Sequence, residues 1–143
     1  MARAPVIARR EPPGLGISRA VLALVFIAGG TLHFVIPHPY MGVMPPWLPW
    51  PFALVLVSGA AEIAGGVGLL VPRLRRAAGI GLIVLLIAVL PANVQMYLNA
   101  HAAGKSPAAQ TLLLIRLPLQ FAIIYWVWIA AGVRGARPRT TRR

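Results

Sequence analysis

The stretch VSGAAEIAGGVGLLV, residues 57–71, decides the fold, because it is an apolar run of many small residues with one acidic side chain inside it. That residue, Glu62, is one of only two acidic residues among 143, and the other, Glu11, precedes the first apolar run. The chain is 59% hydrophobic and 11% charged, whereas about 25% of the residues in a soluble domain are charged. The sequence therefore predicts a membrane protein that keeps a carboxyl group within one of its spans.

Four apolar runs are long enough to cross a bilayer, which takes about 20 residues in a helix. They cover residues 17–36, 52–71, 77–98 and 111–131. The first run exceeds the ~7–15 apolar residues of a signal peptide and lacks a clear cleavage site, so we expect it to remain in the protein. The predicted fold is all-α: a bundle of four transmembrane helices over residues 17–131, between disordered basic tails at residues 1–16 and 132–143.

The basic residues lie almost entirely on one side of this predicted bundle. Of the 14 lysines and arginines, twelve fall in the N-terminal segment, in the loop after the second helix, or in the C-terminal tail. Lys105 lies on the other side, and Arg116 lies inside the fourth helix. Since basic residues favour cytoplasmic loops, both termini are predicted to be cytoplasmic. The charges form short clusters between apolar runs instead of one basic face, so the expected partner is the lipid bilayer and not nucleic acid.

The first outer loop, PHPYMGVMPPWLPWP, is rich in proline, which argues against a regular helix there. Tyr40, Trp47 and Trp50 are amphipathic aromatic residues of the kind found at the membrane–water boundary. We interpret the loop as a cap that lies across the outer mouth of the bundle. The alternative is a simple connector with aromatic anchors.

Glu62 is the most deeply placed of several polar residues in the outer halves of the predicted helices. It lies near the midplane, about 15 Å below the outer boundary, on a face of small residues that directs it into the bundle. An ionised carboxylate at that depth costs several kcal/mol, so it is either protonated or paired with a cation. Because Arg116 is on the outer side of the fourth helix, a Glu62–Arg116 ion pair is the predicted pairing.

The candidate polar pocket collects residues from all four predicted helices: His33, Glu62, Asn93, Arg116 and Gln120. Asn93 and Gln95 are two residues apart and point to different faces, so both cannot join one site. Pro91 leaves the carbonyl of Ile87 without its helical donor, and Asn93 or another side chain is expected to satisfy it. These polar groups also suit a purely structural role as interhelical hydrogen bonds, which is the preferred interpretation for Asn93 and Gln120 alone.

Several kinds of site are excluded or disfavoured by composition. The chain has no cysteine, which excludes disulfides, thiolate zinc sites and thiol–disulfide redox relays. His38 and His101 lie in or near the outer loops, so no bis-histidine haem on facing helices is predicted. No haem or metal is expected, no catalytic residue is assigned, and whether the chain is an enzyme is left open.

Five segments resemble the DoxX family of small bacterial membrane proteins. They are RAVLALVFIAGGTLHFVIP, MPPWLPWP, LVLVSGAAEIAGGVGLLVP, RRAAGIGLIVLLIAVLPANVQM and RLPLQ. The combination of a histidine in the first helix, a glutamate in the second and the PANVQM motif carries the resemblance. It implies a four-helix bundle in a bacterial inner membrane. The family takes its name from subunits associated with quinone-linked oxidation of sulfur compounds.

The leading functional hypothesis is therefore an accessory membrane subunit of a quinone-linked redox system, with a quinone as the candidate cofactor. A quinone carbonyl would accept hydrogen bonds from Arg116 and His33, and Glu62 would move a proton. The partner would be a membrane or peripheral oxidoreductase subunit, and a homo-oligomer is compatible with the sequence. Two alternatives stay open: a small proton-coupled transporter that uses Glu62, and a scaffold that recruits another membrane protein.

Overall fold

The computed structural model describes residues 13–133, and over that range it contains helices and turns but no strand. The helices are α1 Pro13–Val35, α2 Pro37–Met41, α3 Pro51–Leu70, α4 Arg75–Ala88, α5 Leu90–Ala102 and α6 Pro107–Ala130. Four spans in this range are long and apolar enough to cross a membrane: Gly14–Val35, Pro51–Leu70, Arg75–Ala102 and Pro107–Ala130. The predicted all-α bundle of four transmembrane helices is confirmed, and the chain is a multi-pass membrane protein.

Proline marks the first turn of α2, α3, α5 and α6. It is tolerated there because the first N–H groups of a helix have no acceptor within the helix and the ring already holds a helical φ. At α6, the Ser106 side chain also accepts a hydrogen bond from the Ala109 N–H at 3.4 Å. As a result, α6 begins at Pro107, four residues before the predicted 111, and Lys105 lies in the short turn before it.

Three other features of the structure differ from the prediction. Residues 13–16, predicted as tail, are the first turn of α1, which extends the apolar run by one turn. The proline-rich loop contains the single-turn helix α2, because Pro37 and Pro39 both fall where an N–H is not needed. The predicted third helix is two helices, since the chain breaks at Val89 just before Pro91. The predictions for residues 1–12 and 134–143 lie outside the described range.

The α1–α3 interface is the most extensive in the bundle, and glycine makes it close. A Cβ added at Gly59 would lie 2.8 Å from the Gly30 carbonyl oxygen and 2.7 Å from the His33 Cβ. The two backbones therefore touch, as small residues allow in membrane helices. This contact fixes α1 against α3 directly beside His33.

Although Val55 is fully buried elsewhere, the main cluster of buried apolar side chains lies at one end of the bundle. Leu22, Leu69, Leu82 and Val127 are fully buried there, where α1 and α4 begin and where α3 and α6 end. Arg19 is also buried at this end, and its Nε donates to the Ala130 carbonyl at 2.7 Å. This bond satisfies a carbonyl in the last turn of α6, which has no partner within the helix. The opposite half is less tightly filled, and it holds the candidate site.

Candidate functional site

A cavity of about 280 Å³ opens in the half of the bundle away from the core. The residues predicted to form a polar pocket all line it: His33 from α1, Glu62 from α3, Asn93 from α5, and Arg116 and Gln120 from α6. Apolar side chains such as Val55, Leu119 and Ile123 line the remaining wall. Four separate spans thus bring an imidazole, a carboxyl, a guanidinium and two amides to one space.

The roof of the cavity is made by α2 and the turn after it. Tyr40 lines the cavity, and its ring centroid is 4.0 Å from that of His33. Val43 and Met44 also line it. Trp47 and Trp50, predicted to share the cap with Tyr40, do not line the cavity and are 69% and 79% exposed. Of the three aromatic residues in the predicted cap, only Tyr40 therefore faces the site.

His33 is held in one tautomer by its own helix. Its Nδ1 lies 3.1 Å from the Gly29 carbonyl oxygen, and a carbonyl can only accept, so Nδ1 carries a proton. In the neutral imidazole, Nε2 is then an acceptor. The same Nδ1 is 3.7 Å from Glu62 Oε2, and the two side chains are 12% and 18% exposed. His33 and Glu62 form a close, largely buried pair.

The predicted Glu62–Arg116 ion pair is not formed. The Glu62 carboxylate packs against α1, since a Cβ at Gly29 would lie 3.1 Å from its Oε2. Arg116 lies on α6, which packs against α4 and α5, and its Nη1 approaches the Met96 sulfur of α5 at 3.8 Å. The two charged groups therefore belong to different walls of the cavity. Opposite charge and a depth difference within reach of a guanidinium were not sufficient to predict a contact, because the packing of each helix determines which way its side chains point.

Asn93 and Gln120 join α4, α5 and α6. Asn93 Nδ2 donates to Gln120 Oε1 at 2.6 Å, and the buried Gln120 donates from Nε2 to the Leu86 carbonyl. The carbonyl that receives a side-chain donor near the helix break is thus that of Leu86, one residue before the predicted Ile87. These bonds are the interhelical contacts that the sequence interpretation preferred for both amides. They leave the Asn93–Gln120 pair as part of the cavity wall.

Gln95 lies outside the cavity, where its Nε2 donates to Asn99 Oδ1 at 2.7 Å. It therefore separates from Asn93, as their spacing of two predicts. The lining residues that sequence reasoning did not name include Met44 and Met96. Methionine is a common core residue and gives no polar signal, although Met96 lies within the PANVQM motif.

The chemistry available in the cavity is hydrogen bonding and proton exchange. Within residues 13–133, no group of three or more histidine, cysteine, aspartate or glutamate side chains is arranged to hold a metal ion. Arg116 offers up to five N–H donors, and its hydrogen-bonding contact among the described residues is to a thioether, a weak acceptor. Glu62 and His33 can each take up or release a proton on the opposite wall.

Comparison with known proteins gives a family and no activity. Residues 22–131 match the family described as Domain of unknown function (DUF8561), a region that contains every residue lining the cavity. No curated protein and no solved structure matches the chain. Because the matched region covers most of the sequence, the chain belongs to the DUF8561 family.

Proposed function

We propose that this cavity binds the head group of a lipid-soluble carbonyl compound, and that a quinone is the chemical class. The observation that carries the proposal is Arg116. Arg116 lines the cavity with an exposed side chain, and among the described residues its guanidinium contacts a methionine sulfur and no oxygen. A charged donor whose N–H groups meet no oxygen acceptor among the described residues can bind an oxygen acceptor supplied by a ligand.

The size and walls of the cavity support a small, flat, mostly apolar group. Its volume of about 280 Å³ is close to the lower end, roughly 300 Å³, of pockets for small molecules. Val55, Leu119 and Ile123 supply apolar contact, while Arg116 supplies a donor to a carbonyl oxygen. Tyr40 lies over His33, so an aromatic ring is available for stacking at the roof.

Proton exchange is the second part of the proposal. Reduction of a quinone to a quinol takes up two electrons and two protons. The electrons would come from an oxidoreductase partner, because the chain has no cysteine for a thiol relay. The protons would pass through Glu62 and His33, which lie 3.7 Å apart at the cavity. In this proposal the chain is a DoxX-like accessory subunit of a quinone-linked system in a bacterial inner membrane.

Orientation follows from charge. Among the described residues, Arg19, Arg73, Arg75 and Arg76 lie toward the end of the bundle that holds the core cluster, and Lys105 lies at the cavity end. By the preference of basic residues for the cytoplasmic side, both termini are cytoplasmic and the cavity lies in the outer half of the bilayer. A ligand dissolved in the outer leaflet would reach it beside α2.

The test is equilibrium binding of a short-chain ubiquinone analogue to the purified full chain in mild detergent. We expect Arg116→Gln to weaken binding by about 1.5–3 kcal/mol, roughly 10- to 150-fold, the cost of losing a hydrogen bond to a charged group. Lys105→Gln is the matched control, since it removes one positive charge from a turn outside the cavity. Thermal unfolding of both variants shows whether each is folded.

Three outcomes would overturn the proposal. If the unaltered chain does not bind the analogue at membrane-relevant concentrations, the cavity is not a quinone site. Equal binding by the folded Arg116→Gln variant would remove Arg116 from the site. Substrate-dependent proton flux into vesicles, abolished by Glu62→Gln and independent of quinone, would replace the proposal with the transporter alternative.

A further inference from the structure

An apolar groove of about 360 Å³ lies between α3 and α4, away from the cavity and at the end of the bundle where the core is. Small residues form both walls, with Ala61 and Ala64 on α3 facing Ala77 and Gly81 on α4. These four residues are exposed, so the groove faces outward to where lipid would lie. It extends about 10 Å along α3, over residues 61–68, at 1.5 Å per residue.

Two arginines, Arg73 and Arg76, are sequence neighbours of residues that line this groove. Arg73 directly precedes Leu74, and Arg76 directly precedes Ala77; both of those neighbours line the groove. Arg73 and Arg76 are exposed, and among residues 13–133 neither makes a side-chain hydrogen bond or an ion pair. The chain has two acidic residues in all and a net charge of +12, so it has little with which to neutralise them.

We propose that the groove is a binding site for an anionic phospholipid, with one acyl chain between α3 and α4 and the phosphate on Arg73 and Arg76. The apolar groove fits an acyl chain because small residues leave a channel that reaches the membrane side of the protein. The two arginines fit a phosphate because a guanidinium binds its oxygens through paired N–H donors. Basic pockets between helices on the cytoplasmic side are a known mode of lipid headgroup binding.

Charge also distinguishes this occupant from a second copy of the chain. In a symmetric dimer the same surface patch meets itself, which would place the Arg73 and Arg76 of one copy near those of the other. Like charges brought together across an interface oppose association. A lipid phosphate is negatively charged, so the same arginines attract it. The site is independent of the cavity and of the proposed quinone function.

Gly81 provides a variant that fills the groove without disturbing the fold. A Cβ added at Gly81 meets no atom within 4 Å, so a leucine there would occupy the groove and not the helix interface. By contrast, a Cβ at Gly68 would lie 2.7 Å from the Ala78 Cβ, so a substitution there would separate α3 from α4. Gly81→Leu is therefore expected to keep the thermal stability of the unaltered chain.

The experiment is native mass spectrometry of the full chain in mild detergent with added phosphatidylglycerol or phosphatidylcholine. We expect one phosphatidylglycerol molecule to bind at least about fivefold more tightly than phosphatidylcholine. Changing Arg73 and Arg76 together to Gln should weaken phosphatidylglycerol binding about tenfold or more at low ionic strength. Gly81→Leu should weaken binding of both lipids, because it blocks the acyl chain and not the phosphate.

The matched control is the pair Arg139→Gln and Arg142→Gln, which removes the same charge from the C-terminal segment. If this control weakens phosphatidylglycerol binding as much as the Arg73 and Arg76 pair does, attraction to lipid is general and the site is wrong. Unchanged lipid binding by folded Gly81→Leu would also overturn it. A dimer of the unaltered chain that dissociates in Gly81→Leu would identify a second copy as the occupant.

Discussion

The Glu62 side chain packs against α1 at a position, Gly29, that has no side chain. Gly29 has no side chain, and the Glu62 carboxylate lies where one would otherwise be, with Oε2 3.1 Å from the place of a Cβ. His33, one turn further along α1, brings its Nδ1 to 3.7 Å from the same oxygen. Glu62 therefore interacts with residues of α1, whereas Arg116 interacts with Met96 on α5.

This arrangement predicts the pattern of a double-mutant cycle. Glu62→Gln and Arg116→Gln should have additive effects on the free energy of unfolding, within about 0.5 kcal/mol, because the two side chains are not in contact. Glu62→Gln and His33→Asn should instead show a coupling of about 0.5–3 kcal/mol, as contacting residues do. Unfolding of the purified variants in detergent with added denaturant measures both cycles. A coupling above about 1 kcal/mol between Glu62 and Arg116 would contradict the geometry described above.

For individual residues, the sequence predicted the depth of a side chain in the membrane better than the direction in which it points from its helix. Helix rise converts residue number into depth, which is why His33, Glu62 and Arg116 are all predicted between the midplane and the outer surface, and all three line the cavity. Their contacts depend on how each helix is rotated about its axis. The close approach at Gly59 and Gly30 fixes that rotation for α1 and α3, and no pattern in the sequence states which glycines meet.

At the scale of elements, the third span differs most from its prediction. Residues 77–98 form a continuous apolar run. Because the residues on both sides of Val89 are equally apolar, hydropathy does not reveal that the helix breaks there. The chain turns at Val89, and α5 begins at Leu90 with Pro91 in its first turn. A break within a membrane is tolerated where a neighbouring helix satisfies the freed backbone groups, and here Gln120 of α6 donates to the Leu86 carbonyl.

The stability of this broken span should therefore depend on Gln120. Gln120→Leu would remove the donor to the Leu86 carbonyl and the acceptor for the Asn93 amide, and we expect it to lower the free energy of unfolding by about 1–2 kcal/mol. The control is Gln95→Leu, because the half-buried Gln95 makes an exposed hydrogen bond within its own helix, and this change should alter stability by less than about 0.5 kcal/mol. Thermal unfolding in detergent compares the two. Equal losses would mean that the cross-helix bonds do not stabilise the break.

For the whole molecule, composition and hydropathy were sufficient to predict an all-α bundle of four membrane spans. The four apolar runs are separated by proline, glycine and charged residues, so their number could be read directly. Their ends could not, because α1 and α6 each begin four residues earlier than the apolar pattern does. A helix can start in polar residues when a proline or a capping serine such as Ser106 favours its first turn.

The distribution of basic residues predicts the orientation of the molecule. Reporter fusions after Arg143 and within the Lys105 turn should report opposite sides of the membrane, with the C-terminal fusion in the cytoplasm. A fusion within residues 40–48 should agree with the Lys105 fusion. If the fusions after Arg143 and at Lys105 report the same side, the number of spans or their orientation is wrong.

The bond from Arg19 to the Ala130 carbonyl joins the first span to the last, across 111 residues of sequence. It has a consequence for biosynthesis, because Ala130 is added to the chain 111 residues after Arg19. The first span must therefore enter the membrane and wait for the last before its buried arginine gains this acceptor. A chain that stops before the fourth span lacks this closing contact, which gives a cellular protease a chemical difference between finished and unfinished copies.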